Sequence, residues 1–523
     1  MKPNRFILLI WIVFSSLIVF SAEATQYLPE DWVSYTDLRY ITSIAVDLRF
    51  VYFGTRDGIC VYDKLKERWG DPITTGDGLP TRNVDVVGID VYTNNLLVSS
   101  GSNIYSYAST LEDWESYEME GVGGSFTSIG VNAEYIWGEG PDLKIRFDKI
   151  TRSWVPVDRF EDDIKWFGKR GEVDIKKPRY SFLAPFYIPG RHLERYNMTA
   201  AVEDGKILWV GTEGYGSFKY DLIDLTSTHL LMGVAGGGVD AMYLDEGTLW
   251  FGGKAVDAPA VTRWCETDSS WVYYDKENDV GLFSNRISVI VADSKYVWLG
   301  TEHGLTRFDK KKGIFKTFTV FDGLPRNEVT AELVHGDSLW VGTSYGLAVM
   351  DVSSSDFTRM TQLKVRINHL AVSNESLWVA TSEGVFILDI QSGKWLQFKD
   401  PEGLLEVSTN YLLFDSGKIW FGTWRGLISF DMRSKTWKRF TYPVHLPDEK
   451  LRVLAADEKN LWVGTGSGVA HLRKDIGDWI KYDKRDGLIG EEVNAIVIHG
   501  DYVFFGTDEG VTRFYWNDPF LVR

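Results

Sequence analysis

The chain has 523 residues, with 73 acidic against 56 basic side chains and a net charge of −17 at neutral pH. Such a surface repels phosphate backbones and excludes nucleic acid as a partner. Only two cysteines occur, which excludes a disulfide-stapled scaffold and leaves core area as the source of stability.

Residues 1–24 read as a secretory signal: Lys2 and Arg5 come first, an apolar run follows over 6–20, and Ala22-Glu23-Ala24 forms a small-x-small cleavage site. The mature chain is expected to begin near Thr25, and losing two basic residues and Glu23 takes its charge from −17 to about −18. The apolar run falls short of the roughly 20 residues a membrane span needs, so the mature chain is expected outside the bilayer. An uncleaved anchor is the alternative. Export places the protein in the periplasm or outside the cell.

From Trp32 onward one phrase returns eleven times: an aromatic or aliphatic residue, an apolar one, Gly, Thr, two variable residues and Gly. Its clearest copies run through Gly300-Thr301, Gly342-Thr343, Gly422-Thr423 and Gly464-Thr465, followed after two intervening residues by Gly304, Gly346, Gly426 and Gly468 respectively. Weaker copies sit at Gly54, Ser99, Gly138, Gly211, Gly252, Ala380 and Gly506. The late anchors are spaced by 38 and then 42 residues, a period that belongs to four-stranded propeller blades. Around Gly464 the unit reads clearly. A half-wet strand over 437–440 precedes a turn, an apolar inner strand over 451–456, a second buried strand over 461–465, and a tight turn into 469–472. Gly in that turn supplies positive φ, and the Trp just before it is expected to lie between neighbouring sheets.

The predicted class is therefore all-β: a propeller of four-stranded antiparallel blades, about 11 or 12 of them, in two rings, because one ring ordinarily holds four to eight. Residues 32–35 match an outer strand with no blade before them, and 493–514 supply three inner strands with no outer strand after them. The first strand is expected to complete the last blade, leaving no open edge. The gap from Gly138 to Gly211 holds only a weak echo, Trp166-Phe167-Gly168. The expected division is a first propeller over 25–157 completed by 485–523, a degenerate blade or junction over 158–198, and a second propeller of about seven blades over 199–484.

No His-Glu-x-x-His, Cys-x-x-Cys or Gly-x-Ser-x-Gly pattern occurs, so no catalytic or metal residue is assigned and no cofactor is expected. Asp77-Gly78, Asp322-Gly323 and Asp486-Gly487 recur at one place in the unit and read as turns. Cys60 and Cys265 fall on third strands of different blades and are not expected to pair. Each inner strand carries a mostly polar residue at one register: Thr42, Asp85, Thr127, Thr199, Asp240, Ser288, Thr330, Asn368, Asn410, Arg452 and Asn494. These are candidates to line a central channel, and the favoured reading is that they satisfy backbone groups or water there. The residues between Thr and Gly vary from blade to blade, as ligand positions do. Tyr215, His303, Tyr345, Trp424 and Arg425 combine stacking surface with hydrogen-bond donors and are the candidate ligand site at one mouth of the channel.

The fuller phrase Leu-Trp-Val-Gly-Thr-x-x-Gly-Leu-x-x-Phe-Asp, nearly whole at 297–309 and 419–431, resembles the two-component regulator propeller repeat, and the resemblance covers most of the mature chain. It implies a periplasmic sensor-type propeller, often paired seven-bladed rings that detect glycan fragments for hybrid histidine kinases. No Ig-like module, membrane helix or kinase follows the repeats here, so direct signalling is not expected and a separate signalling protein is a candidate partner. Two functions follow. The favoured one is a secreted or periplasmic binding protein that offers a propeller mouth to a glycan, peptide or protein. The other is a polysaccharide lyase or glycosidase on the same scaffold, since fold alone does not choose.

Overall fold

A computed structural model of the chain describes residues 31–517, apart from 109–112, 118, 120–123, 191–193, 255–258, 401–402, 404 and 406–407. The signal-like segment lies outside the described residues. Eleven antiparallel sheets are present among them, nine with four strands and two with five. Numbered in chain order of their inner strands, the blades occupy 41–69, 86–117, 128–168, 187–230, 241–274, 287–318, 329–360, 367–398, 409–440, 451–482 and 493–515.

Blade ten, which carries the uninterrupted repeat, illustrates how the unit folds. Leu451–Ala456, Asn460–Thr465, Gly468–Arg473 and Asp478–Tyr482 pair in sequence from the axis outward. Leu454, Trp462 and Val463 are buried where the middle of the blade meets its neighbours. Trp462 stacks on His471 at 3.8 Å and meets Phe505 and Phe514 of blade eleven edge-on at 5.6 and 6.1 Å. The repeat tryptophans therefore glue blade to blade, and burying each contributes about 1.5–3 kcal/mol or more.

The Thr of the repeat has a role that the periodicity alone did not assign. Thr301 Oγ1 donates to Gly304 O at 2.8 Å and accepts from His303 N at 3.0 Å, and Thr343, Thr423 and Thr465 do the same in their blades. A buried hydroxyl thus satisfies both sides of a hairpin turn. Gly304 closes it at φ 147°, where a Cβ would lie 2.3 Å from Phe318 O. The Asp-Gly sites are turns as read: Asp322 accepts from Thr319 N at 2.8 Å and Oγ1 at 3.1 Å, and Asp486 accepts from Asp483 N at 2.8 Å. Cys60 and Cys265 are both free thiols.

Trp32–Tyr35 pairs antiparallel with Val511–Phe514, Trp32 opposite Phe514. Their rings stack at 3.9 Å and Ser34 Oγ meets Thr512 Oγ1 at 3.0 Å. The N-terminal strand therefore closes the last blade, as expected. Which ring it closes is different. The inner strands of blades five to eleven touch in order, and that of blade eleven returns to touch blade five, so these seven form the closed ring. Blades one to four pack on one another as a smaller wheel, blade one touching both two and four.

The expected division at 199 and 484 is thus corrected. Blade four belongs with blades one to three, and blade eleven belongs to the seven-bladed ring. The chain enters the large ring as its last outer strand, leaves to build the small wheel, and returns at blade five. Nor is 158–198 a twelfth blade. Lys165–Gly168 adds to the inner edge of blade three, and Tyr187–Pro189 adds to that of blade four. Between them Val173 N donates to Ala201 O at 2.9 Å, carrying the chain from one sheet to the next.

One apolar cluster spans both wheels, joining Ile44, Phe53 and Trp209 of the small one to Trp264, Phe504 and Val511 of the large one. From its edge Tyr35 OH donates to the exposed Asp71 at 3.2 Å, and Arg513 reaches the same carboxylate.

Two histidines are locked neutral in the large ring. His369 stacks on Tyr411 at 3.7 Å, and burial pushes it down to about 4. His471, against Trp462, is pushed down to about 3, first by burial and then by Arg473. In the unfolded chain both take up a proton below pH ~6.5, while the folded chain does so only near pH 4 and 3. The unfolded state then binds more protons, so the contribution of these two groups to stability is full above pH ~6.5 and is lost as pH falls. Chemical unfolding followed across that range should show a loss on the order of 3 kcal/mol per histidine by pH 4. His471→Gln should flatten the acid limb, and an unchanged limb would count against the assignment.

Candidate functional site

Each inner strand of blades six to eleven carries a β-bulge, and the extra residue is the polar one picked out by register: the ladder skips between Ile287 and Val289, Val329 and Ala331, Ile367 and His369, Thr409 and Tyr411, Leu451 and Val453, and Val493 and Ala495. A bulge leaves one residue out of the ladder and re-aims its side chain. Here that side chain crosses to the next blade. Ser288 Oγ donates to Val329 O at 2.6 Å, Thr330 Oγ1 to Ile367 O at 2.6 Å, Asn368 Nδ2 to Thr409 O at 2.9 Å and Asn410 Nδ2 to Leu451 O at 3.1 Å. Arg452 Nη1 then reaches Asn494 Oδ1 at 2.7 Å. The belt laces blade to blade and satisfies carbonyls that the bulges leave free.

The other channel candidates part company with this belt. Asp240, in blade five, faces Lys254 at 3.6 Å; burial raises its carboxyl, and Lys254 and Arg452 pull it back. Thr42 and Asp85 sit in the small wheel, where Thr42 Oγ1 donates to Val84 O at 2.5 Å and Asp85 accepts from Gly101 N at 2.7 Å. Thr42 repeats the lacing role in a different ring, whereas Asp85 bonds within its own blade, so the candidates do not line one channel.

Above the belt, on the Thr-x-x-Gly face, stand four of the five candidate ligand residues. Trp424 is 58% exposed, and its indole Nε1 donates to Asn410 Oδ1 at 3.1 Å, so a belt residue holds the ring upright. Arg425 is exposed beside it, and its carbonyl accepts from Arg439 at 2.8 Å. Tyr345 is 48% exposed with the Arg326 guanidinium 5.7 Å from its ring. Exposed His303 lies with Nδ1 3.5 Å from Glu302 Oε1. Ion pairs complete the rim: Arg286–Glu302 at 3.4 Å, Arg366–Glu328 at 2.8 Å and Arg452–Glu492 at 2.9 Å. Sequence reading missed these pairs and Arg326. Their signal was a charged residue recurring two positions before the bulge, at Arg286, Glu328, Arg366, Lys450 and Glu492.

Tyr215 is not on this rim. It belongs to blade four, stacks on Tyr196 at 4.3 Å and 6°, and holds His229 Nε2 on its carbonyl at 2.7 Å. It lines a cleft of about 400 Å³ between the wheels, together with Arg39, Tyr273 and Asp275. The loop after Thr212 is one residue longer than the repeat, with Thr212 Oγ1 bonded to Gly216 O, and blade four lies outside the seven-bladed ring. The grouping of Tyr215 with Trp424 therefore fails.

The architecture and its laced mouths define a β-propeller. No protein-family model matches the chain and no curated protein matches it. Among solved structures it is similar to PorZ of Porphyromonas gingivalis, an essential bacterial surface component of the type-IX secretion system, with a TM-score of 0.58 and 13% identity over 92% of this chain and 87% of that one. It is also similar to the extracellular domains of two putative hybrid two-component systems of B. thetaiotaomicron. The first has a TM-score of 0.47 and 17% identity, covering 90% of this chain and 60% of that one. The second has a TM-score of 0.47 and 15% identity, covering 91% and 70%. The chain thus spans about three fifths of the length of the first. At these identities the likeness speaks for the fold alone.

Proposed function

We propose that this chain is an exported, non-catalytic, sensor-type binding protein that recognises a glycan or an extended peptide at the mouth of its seven-bladed ring. The observation that carries this reading is Trp424, a half-exposed indole held in place from below by Asn410. A large apolar face left more than half exposed at a channel mouth suits stacking against a sugar ring or an aromatic side chain. Arg425, His303, Tyr345 and Arg326 surround it with donors that give orientation. The signal-like N-terminus supports export, and the resemblance of the repeat supports a sensor-like role with a separate signalling protein downstream.

A glycan and peptide array probed with the mature protein tests the proposal. Binding should be saturable, and Trp424→Ala should weaken it by about tenfold or more, with Tyr345→Ala acting in the same direction. Null binding throughout, together with saccharide cleavage, would move the function to a lyase or glycosidase.

A further inference from the structure

The small wheel holds a larger cavity than the cleft beside Tyr215. It opens where the first and second strands of its blades turn, has a volume of about 800 Å³, and is floored by Ile44, Ala45, Ile89, Leu96 and Phe167, with Trp166 at one side. This volume and this apolar lining are those of small-molecule pockets. At its rim stand Leu48, 98% exposed at the tip of a turn, and Val91, 48% exposed. An apolar floor that continues into an apolar lip is surface whose burial by a ligand is favourable.

The charges around the cavity are nearly all engaged. Asp47 accepts from the backbone N–H groups of Arg49 and Phe50, at 2.6 and 2.5 Å. Glu203 takes Arg179 at 2.7 Å and the Tyr180 hydroxyl at 2.5 Å. Asp204 takes Lys64 at 2.8 Å, and the Arg49 guanidinium takes Asp63 at 3.0 Å. Lys165 differs. Its ammonium lies 5.3 Å from the centre of the Phe167 ring, inside the lining, and among the described residues it makes no ion pair. It comes from the strand that the echo Trp166-Phe167-Gly168 turned out to be, the one inserted at the inner edge of blade three.

We propose that this cavity binds a small amphiphile with an apolar chain and a single anionic head, of the fatty-acid kind, with the chain on the Phe167 floor and the head on Lys165. The acids at the rim reject a second negative charge, and the uncommitted lysine selects for the first. This site lies in the other wheel from the Trp424 mouth and does not depend on it.

Calorimetric titration with laurate, dodecanol and acetate tests the inference. Laurate should bind saturably at one site, dodecanol about tenfold more weakly and acetate not at all, since a hydrogen bond to a charged group carries roughly that factor. Lys165→Met should bring laurate down to the level of dodecanol, and Lys165→Arg should restore it. Val91→Glu, at the exposed lip, should weaken both, and Trp424→Ala should change neither. Absence of saturable laurate binding, equal binding of laurate and dodecanol, or an unchanged affinity in Lys165→Met would each overturn it.

Discussion

Arg39→Met is expected to destabilise the protein by about 3–5 kcal/mol. Arg39 lies on the segment that crosses from the large ring to the small wheel and is only 6% exposed. Its Nε and Nη2 donate to the two oxygens of Asp37 at 2.8 and 2.7 Å, and its guanidinium sits 5.6 Å from the ring of Tyr273. Asp37 Oδ2 accepts in addition from Gly236 N at 3.0 Å, at the point where the chain re-enters the large ring. Removing the cation leaves a carboxylate buried with only N–H partners, and it is that stranded charge, more than the lost attraction, that costs. The double variant Asp37→Asn with Arg39→Met should therefore be less damaged than Arg39→Met alone. Chemical unfolding of the wild type and the three variants gives the cycle. A single-variant cost under about 1 kcal/mol, typical of an exposed pair, would refute the junction role, as would simple additivity.

Glu332→Leu is expected to stabilise the protein at neutral pH by about 2 kcal/mol or more, the usual penalty of an unsatisfied buried polar group together with the apolar gain. Glu332 stands on the inner strand of blade seven at a register that the other large-ring blades fill with Met242, Ile290, Leu370, Leu412, Leu454 and Ile496. It is 6% exposed, and neither carboxylate oxygen has a hydrogen-bond partner. It faces Gly300 of blade six, where an added Cβ would lie 2.9 Å from Oε1. Burial alone raises its carboxyl well above the usual value, with no charged neighbour contributing.

The folded state therefore keeps a proton that the unfolded chain releases above pH ~4.5, so stability falls as pH rises past that value until the folded group ionises. The direction is opposite to that of the buried histidines. The advantage of Glu332→Leu over the wild type should grow between pH 5 and pH 8 in thermal or chemical unfolding. A constant difference, or a destabilised variant, would show that the carboxylate has a partner.

Much of this molecule is legible in its sequence. The period, the strand quartet, the tight turn and the closing strand all depend on contacts within one repeat or between the two chain ends, and each leaves a local mark: alternation along Trp437-Lys438-Arg439-Phe440, Gly304 where φ is positive, Trp32 without a blade of its own. The polar register from Ser288 to Asn494 was visible as well. That it laces neighbouring blades was not, because a bulge is a feature of pairing and the carbonyl it serves lies about 40 residues away. Four of the five ligand candidates share one rim, since the Thr-x-x-Gly turn always falls on one face of a blade. Tyr215 was misplaced because its turn looks alike whichever ring holds it.

By itself, then, the sequence determined that this chain folds as blades, how each blade turns, and that its first strand seals its last sheet, because those interactions repeat at short range and stamp a period on composition. Only the tertiary structure decided that seven blades share one ring and four another, that Arg39 is buried between them, that Glu332 sits where leucine would fit, and that Lys165 makes no ion pair among the described residues. Those outcomes depend on which inner strands meet across as many as 250 residues, as those of blades five and eleven do. Blades of nearly identical pattern carry no label naming their neighbour; packing against the rest of the ring supplies it.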